Sequence, residues 1–176
     1  MRVLWCITGG EYLLAESASI LEGLDDVTVI FSAAGEEVSR MYGQYERIVK
    51  AASEVVLERK QGRSTPALMS LNSYDLVIVA PCTGNTVAKV VHGIGDSVVS
   101  NVVCQALKSG IRVIVLPTDS TRNVTGKSLS GRDVHLKCRA VDLENVKKLK
   151  KEVKVVRSAQ ELAAVLSKIE QKTTSL

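Results

Sequence analysis

Residues 76–80, Leu-Val-Ile-Val-Ala, constrain the fold of this chain more than any other segment. They form an unbroken apolar run rich in β-branched residues, between Asp75 and Pro81. A strand exposed on one face alternates apolar and polar side chains, whereas a strand covered on both faces is apolar throughout. This segment therefore predicts a central strand of a parallel sheet that is covered by helices on both faces.

Strand-like segments alternate with segments of helical periodicity along most of the chain. The predicted strands are residues 2–8, 27–31, 76–80, 111–116, 133–141 and 154–156. The predicted helices are residues 12–24, 34–42, 86–92, 96–107 and 159–169. This alternation predicts an α/β fold, a doubly wound, Rossmann-like or flavodoxin-like parallel sheet with right-handed crossovers.

Two stretches carry weaker signals. Residues 43–60 are ambiguous, with a possible strand over residues 54–59, and residues 119–131 are polar and rich in turn formers. Neither stretch is long enough to be a linker between domains. We therefore expect residues 1–176 to form a single domain that residues 121–176 complete.

Composition and charge exclude several classes of protein. With 45% hydrophobic and 24% charged residues, the chain is neither disordered nor fibrous. It has no apolar run of the roughly 18 residues that a membrane span needs, and no signal peptide, which predicts a cytoplasmic protein without a membrane partner. Cys6, Cys82, Cys104 and Cys138 form no CxxC pair, which disfavours a structural metal site.

The positive charge is confined to one end of the chain. Residues 1–120 carry 10 Lys/Arg and 13 Asp/Glu, whereas residues 121–176 carry 13 and 6. The net charge of +4 therefore divides into −3 and +7. A basic region of this size favours a local acidic partner over a nucleic acid, although a solvated lysine-rich helix face explains it equally well.

Ligands of open parallel sheets bind at the carboxyl ends of the strands, where helix N-termini point. Four such ends are recognisable here. Neither a dinucleotide fingerprint nor a P-loop is present. The strongest candidate is the third end, because its loop offers several hydroxyls and an amide where one N-cap would suffice. The residues at the four ends are Gly9, Gly10 and Glu11; Ser32; Thr83, Gly84, Asn85 and Thr86; and Thr118.

The third end carries a family resemblance. Residues 80–89, Ala-Pro-Cys-Thr-Gly-Asn-Thr-Val-Ala-Lys, and residues 93–101, Gly-Ile-Gly-Asp-Ser-Val-Val-Ser-Asn, resemble the homo-oligomeric flavin-containing cysteine decarboxylase superfamily. That superfamily has a Pro-Ala-Ser-Ala-Asn-Thr loop followed by a Gly-Ile-Ala-Asp-type segment. Residues 41–43, 116–119 and 141–146 resemble its archaeoflavoprotein, or dihydromethanopterin reductase-like, branch.

The resemblance implies an FMN site built from the residues at the four strand ends. In this family the flavin sits at a subunit interface, so a homotrimer or an assembly of trimers is expected. Glu11 departs from the Gly-Ser or Gly-Ala-Ser of the family's first loop. Because a carboxylate repels a phosphate, Glu11 is expected to contribute only its backbone.

Departures from the family pattern separate three activities. A phosphopantothenoylcysteine-type decarboxylase would carry a His upstream and a Pro-x-Met-Asn-x-x-Met-Trp clamp, but residues 64–70 contain no His and no clamp follows Pro117. A flavin prenyltransferase would carry Arg-Glu after that proline, where Thr118 and Asp119 stand. Redox chemistry by the flavin needs neither motif. The resemblance therefore implies an FMN-dependent oxidoreductase, which transfers electrons or reduces a pterin-like substrate. Prenyl transfer is the first alternative, and decarboxylation is a less favoured one.

The basic end offers a surface for a ferredoxin-type electron donor. Five lysines cluster within a few residues of one another near the end of the chain: Lys147, Lys148, Lys150, Lys151 and Lys154. Such a cluster steers an acidic partner, an effect that salt weakens.

Overall fold

A six-stranded parallel sheet forms the centre of the molecule. The structure is a computed structural model that describes residues 1–64 and 70–174, with side chains described up to residue 171. The sheet contains β1 (Arg2–Ile7), β2 (Asp26–Phe31), β3 (Glu54–Leu57), β4 (Leu76–Cys82), β5 (Arg112–Pro117) and β8 (Lys154–Val155). Their spatial order is β3-β2-β1-β4-β5-β8, and every pairing is parallel. The predicted α/β fold is confirmed.

An antiparallel hairpin stands apart from this sheet. It consists of β6 (Asn123–Lys127) and β7 (Asp133–Lys137), which pair with each other and with no strand of the sheet. The helices are α1 (Leu14–Leu21), α2 (Ala33–Met41), α3 (Tyr45–Ala51), α4 (Glu58–Gln61), α5 (Gly84–Val91), α6 (Val98–Lys108), α7 (Ala140–Leu149) and α8 (Ala159–Thr174). A single 3₁₀ turn, Leu71–Ser73, precedes β4.

The strands alternate their side chains between two buried cores, one on each face of the sheet. In β1, Val3, Trp5 and Ile7 enter the core that α1, α3 and α8 cover. Leu4 and Cys6 enter the opposite core, which α5, α6 and α7 cover. All seven residues of β4 are buried, as expected for a strand with helices on both sides.

Three sequence predictions need correction. The strand predicted over residues 133–141 ends at Lys137, and helix α7 begins at Ala140. The turn-rich stretch of residues 119–131 contains strand β6. The ambiguous stretch of residues 43–60 holds α3, β3 and the start of α4, so the possible strand over residues 54–59 covers only residues 54–57.

Two of these differences have an identifiable physical reason. Strand β6 has a single buried side chain, Val124, and therefore shows little apolar alternation. Helix α7 has Arg139 at its N-cap, a residue type that does not mark helix starts.

Within residues 1–64 and 70–174, no helix is long and apolar enough to cross a membrane. Most of the stretch of residues 64–70 and the last two residues of the chain lie outside the described residues.

Candidate functional site

A cleft of about 940 Å³ opens at the carboxyl edge of the sheet. Its size is at the upper end of the range for small-molecule and cofactor sites. One wall is made by the loops that follow β1, β4 and β5, and the other by the hairpin β6–β7. Residues Gly9, Gly10, Glu11, Thr83, Gly84, Asn85 and Thr118 line the first wall.

Hydrogen bonds between neighbouring loops hold the sheet wall together. The Thr8 hydroxyl donates to the carbonyl of Pro81 at 2.8 Å and accepts the Thr83 N–H at 2.9 Å. The Thr118 N–H donates to the carbonyl of Cys82 at 2.9 Å. Because these bonds run from strand end to strand end, the three loops are positioned as one unit.

Glycines allow these loops to approach one another closely. A Cβ atom on Gly10 would lie 2.9 Å from Thr118 Cγ2, and one on Gly84 would lie 2.9 Å from Asp119 Oδ2. Real Cβ atoms do not make such contacts without displacing their neighbours. The absence of side chains at these two buried positions therefore lets the loops pack closely against one another in the wall of the cleft.

The N-terminus of α5 holds two polar residues from different loops. Thr83 is its N-cap, and its hydroxyl accepts the Thr86 N–H at 3.4 Å. The Asp119 carboxylate accepts the Gly84 N–H at 2.9 Å and the Thr118 hydroxyl at 2.7 Å. A carboxylate at this position is favoured by the positive end of the helix dipole.

Asp142 and Arg139 form an ion pair at the edge of the same wall. The guanidinium donates to both carboxylate oxygens, at 2.8 Å from Nε and 2.7 Å from Nη2. The hydrogen bond from Arg139 lowers the pKa of the Asp142 carboxyl, although burial acts in the opposite direction. Asp142 therefore stays ionised, and Arg139 keeps an exposed side chain at the mouth of the cleft.

Two cysteines lie on or beside this wall. Cys138 lines the cleft and donates its S–H to Asp119 Oδ1 at 3.4 Å. Burial and this hydrogen bond raise the pKa of Cys138 to about 11. Burial also raises the pKa of Cys82, well above the ordinary value for a thiol. At neutral pH both groups are thiols rather than reactive thiolates.

The hairpin wall is attached to the body of the molecule near the hairpin tip. The Tyr42 hydroxyl donates to the carbonyl of Lys127 at 3.3 Å, and the Lys127 N–H donates to Glu11 at 3.4 Å. Tyr12 and Tyr42 both line the cleft. The cleft thus has aromatic surface, although the loops at residues 81–86 and 117–120 contain no aromatic residue.

Seven of the nine predicted site residues line one cleft, and two do not. Ser32 is the N-cap of α2, where its hydroxyl accepts the Gly35 N–H at 2.9 Å. The Thr86 hydroxyl pairs with that of Thr83 at 3.1 Å. Glu11 was expected to contribute only its backbone, but its carboxylate accepts a hydrogen bond from the hairpin. The role of all nine in binding stays a prediction.

A carboxylate that sequence reasoning missed stands beside Ser32. Glu58 Oε2 accepts the Ala33 N–H at 2.8 Å, and Oε1 accepts the Val98 N–H at 2.7 Å. Glu58 therefore joins the N-termini of α2 and α6 and occupies the first amide of each. No spacing in the sequence indicates this contact, because Glu58 lies 25 and 40 residues from its two partners.

One known protein family matches almost the whole chain. The family model described as Flavoprotein matches residues 1–174. The chain belongs to the flavoprotein family. The superfamily resemblance carried by residues 80–101 is thereby confirmed.

Two relatives of the chain are named dihydromethanopterin reductase (acceptor). The enzyme of Methanocaldococcus jannaschii is 41% identical over 132 residues, and that of Methanosarcina mazei is 38% identical over 131 residues. These matches cover 68% and 67% of this chain. The chain spans about half the length of these relatives, 54% and 55%.

Two solved structures share the fold over most of the chain. DmrB of Burkholderia xenovorans in complex with FMN, described as a cubic protein cage for redox transfer, is 34% identical with a TM-score of 0.86. The match covers 99% of this chain and 97% of DmrB. The peptidyl-cysteine decarboxylase EpiD, at 18% identity and a TM-score of 0.64, shows the shared fold alone.

Proposed function

We propose that this protein binds FMN in the cleft at the carboxyl edge of the sheet and uses it for redox transfer. The observation that carries the proposal is the 34% identity, over 99% of the chain, to an FMN-bound structure described as serving redox transfer. When bound, FMN supplies the chemistry itself, because it accepts and donates electrons or hydride. The chain then has only to bind, orient and shield the cofactor.

The residues on the sheet wall fit such a group. The Asn85 side chain is exposed in the cleft and bonds to no described residue, so its amide offers both a donor and an acceptor to a ring edge. Gly9 and Gly10 bring the first loop against Ala34 and Thr118, which keeps this loop close to its neighbours in the wall of the cleft. Tyr12 and Tyr42 offer aromatic surface for its apolar part.

A pterin-like molecule is the proposed substrate, with a ferredoxin-type protein as the proposed electron donor. The similarity to dihydromethanopterin reductases supports the substrate class. The donor is supported by five lysines on and just after α7, all of which are exposed: Lys147, Lys148, Lys150, Lys151 and Lys154. An acidic protein that docks there would be guided by long-range attraction.

An oligomer, in the form of a trimer or an assembly of trimers, completes the proposal. Its support is the similarity to DmrB, which is described as a cubic cage, together with large apolar side chains left exposed. Ile94 in the loop after α5 is 47% exposed, and Met41 at the end of α2 is 53% exposed. Native mass spectrometry should give a multiple of three chains, and a monomer at micromolar concentration would refute this part.

Prenyl transfer is less well supported than redox transfer. It would need a second phosphate close to Thr118 and Asp119, where the Asp119 carboxylate already occupies the first amide of α5. Incubation of the protein with reduced FMN and a prenyl monophosphate should therefore leave the mass of the flavin unchanged.

An absorption spectrum tests the cofactor proposal directly. The purified protein, or the apoprotein after addition of FMN, should show a flavin spectrum that dithionite bleaches and air restores. A protein that stays colourless and does not quench FMN fluorescence would overturn the proposal. Turnover is then measured with a dihydropterin as substrate and reduced ferredoxin as donor.

Charge reversal tests the donor surface separately. Replacing Lys147, Lys148 and Lys151 with Glu should slow reduction by ferredoxin at low ionic strength and leave reduction by dithionite unchanged, because dithionite needs no docking. The control carries the same three charge changes at Lys50, Lys60 and Lys108, outside the basic end. Equal rates in the two variants would refute docking at the basic end.

A further inference from the structure

Asp119 is a carboxylate on the sheet wall whose two oxygens are bound unequally. It is half-buried, lines the cleft and, within the described part of the chain, forms no ion pair. Asp142, its acidic neighbour beside Gly84, is paired with Arg139. The Arg139 guanidinium is bound to Asp142 and acts on Asp119 only through longer-range attraction, so this partly buried carboxylate depends on hydrogen-bond donors. The positions of those donors therefore show which oxygen of Asp119 is left to bind a ligand.

One oxygen of this carboxylate is fully used by the protein. Oδ2 accepts the Gly84 N–H at 2.9 Å and the Thr118 hydroxyl at 2.7 Å. Both donors belong to the hydrogen-bonded sheet wall, so they fix the carboxylate in position. Gly84 makes this approach possible, since any larger residue would place a Cβ 2.9 Å from Oδ2.

The other oxygen is poorly satisfied. Among the residues that the structure describes, the S–H of Cys138 is the only donor to Oδ1, at 3.4 Å. A thiol is a weak donor, and each oxygen of an ionised carboxylate can accept two hydrogen bonds. Oδ1 therefore has capacity for a stronger donor. An N–H group satisfies it, whereas a phosphate or carboxylate of a ligand is repelled.

We propose that Asp119 is a specificity-determining residue, whose Oδ1 accepts a hydrogen bond from a ring N–H of the heterocycle in the cleft. This inference rests on the proposed function. The flavin ring carries an N–H between two carbonyl groups, and a pterin carries a ring N–H beside an amino group. The chemistry is the same for both, and the two arms of the experiment distinguish them.

The test uses a substitution that keeps the shape of the side chain. In Asp119→Asn the amide oxygen can still accept from Gly84 and Thr118, but an NH₂ donor takes the place of Oδ1. The control is Asp26→Asn, which removes the same charge from an exposed residue at the start of β2, at the opposite edge of the sheet. The second variant, Cys138→Ala, removes the thiol and keeps the carboxylate.

The first arm measures flavin binding by fluorescence quenching, with FMN and with FMN methylated at its ring N–H. If Asp119 contacts the flavin, the wild type and Asp26→Asn prefer FMN by about tenfold or more, the value expected for a hydrogen bond to a charged group. Asp119→Asn loses this preference. Cys138→Ala retains the preference for FMN, because this substitution removes the weak S–H donor and keeps the Asp119 carboxylate that accepts the hydrogen bond.

The second arm measures turnover with a dihydropterin and with ferricyanide, an acceptor without a ring N–H, each with reduced ferredoxin as the electron donor and after subtraction of the direct reaction without protein. If Asp119 contacts the substrate, Asp119→Asn raises the KM for the dihydropterin about tenfold or more, and the rate with ferricyanide is unchanged.

The inference is overturned if both arms give the same result for Asp119→Asn as for Asp26→Asn. It is also overturned if the preference is lost in Cys138→Ala, which would assign the contact to the thiol. If Asp119→Asn does not fold, the wild type and Cys138→Ala are measured instead. The inference is refuted if these proteins bind FMN and its methylated form equally well and also show the same KM for a dihydropterin and its ring-methylated form. A wild type that binds no FMN refutes the proposed function instead.

Discussion

The two walls of the cleft are held in place by different forces. The sheet wall continues from strands such as β4, in which every side chain is buried, and its loops are joined by hydrogen bonds. The hairpin wall has one buried side chain, Val124, in its ten strand residues, and Tyr42 and Glu11 attach its tip. An isolated two-stranded hairpin is marginally stable in water. The sheet wall therefore carries the stability of the cleft, and the hairpin wall is the one that can adjust to a ligand.

The largest effect is expected from a truncation in the sheet core. Trp5 is fully buried, and its indole N–H donates to the carbonyl of Ala80 at 2.7 Å. Trp5→Ala should lower the free energy of unfolding by about 3–5 kcal/mol, measured by urea denaturation with circular dichroism. On the hairpin, Leu136 is 57% exposed, and Leu136→Ala should cost about 0.5 kcal/mol or less. Equal losses would contradict the difference between the walls.

A smaller loss is expected where α2 packs against the end of β1. A Cβ atom on Gly35 would overlap the carbonyl oxygen of Ile7, so Gly35→Ala must move the helix away from the strand. We expect a cost of about 1–3 kcal/mol in the same denaturation assay. The matched control is Gly23→Ala, whose Cβ would lie at an ordinary 3.4 Å from its nearest neighbour. A neutral Gly35→Ala would show that this junction is looser than the structure indicates.

The thiol between the two walls should respond to pH in a defined direction. Burial and the hydrogen bond to Asp119 raise the pKa of Cys138 from 9.0 to about 11. The thiolate is the nucleophile, so alkylation of Cys138 by iodoacetamide should stay slow at pH 9 and accelerate toward pH 11. In Asp119→Asn the acceleration should begin at lower pH. Peptide mass spectrometry follows this one cysteine, and an unshifted profile in the variant would argue against the contact.

The smallest effect is expected at the attachment of the hairpin. Tyr42→Phe removes the hydroxyl that donates to the Lys127 carbonyl. Hydrogen exchange of the hairpin amides should become faster by roughly fivefold, which corresponds to about 1 kcal/mol, while the sheet amides keep their protection. Tyr12→Phe is the control, because Tyr12 lines the same cleft without this bond. Equal exchange in the two variants would mean that the bond does not hold the hairpin.

The same contrast explains what could be predicted from the sequence. Residues 76–80 could be predicted to form a strand covered on both faces, because such a strand leaves no position for a polar side chain. Strand β6 was missed because its outward positions and Gly126 hide its periodicity. Helix α7 was missed because Arg139, bound to Asp142, acts as its cap in place of a typical residue. Of these three segments, the strand buried in the core was predictable, and the two held by a few polar contacts were not.

The candidate site divides in the same way. Gly10, Thr83 and Thr118 could be found because parallel strands deliver their following loops to one edge. The contacts of Asp119 and Tyr42 could not be predicted, since their partners Gly84 and Lys127 lie 35 and 85 residues away in the chain. Ser32 was predicted from the same rule but lies outside the cleft.

The sequence by itself determined the parallel sheet, the edge at which the cleft opens, the family and the charge of the basic end. Each follows from local patterns: apolar runs, their spacing and a short motif. Only the tertiary structure decided which polar groups meet at that edge. It placed Asp119 at the first amide of α5, with one oxygen satisfied and the other facing only a thiol. The physical reason is that hydrogen bonds act over about 3 Å, so partners distant in sequence are chosen by packing rather than by spacing.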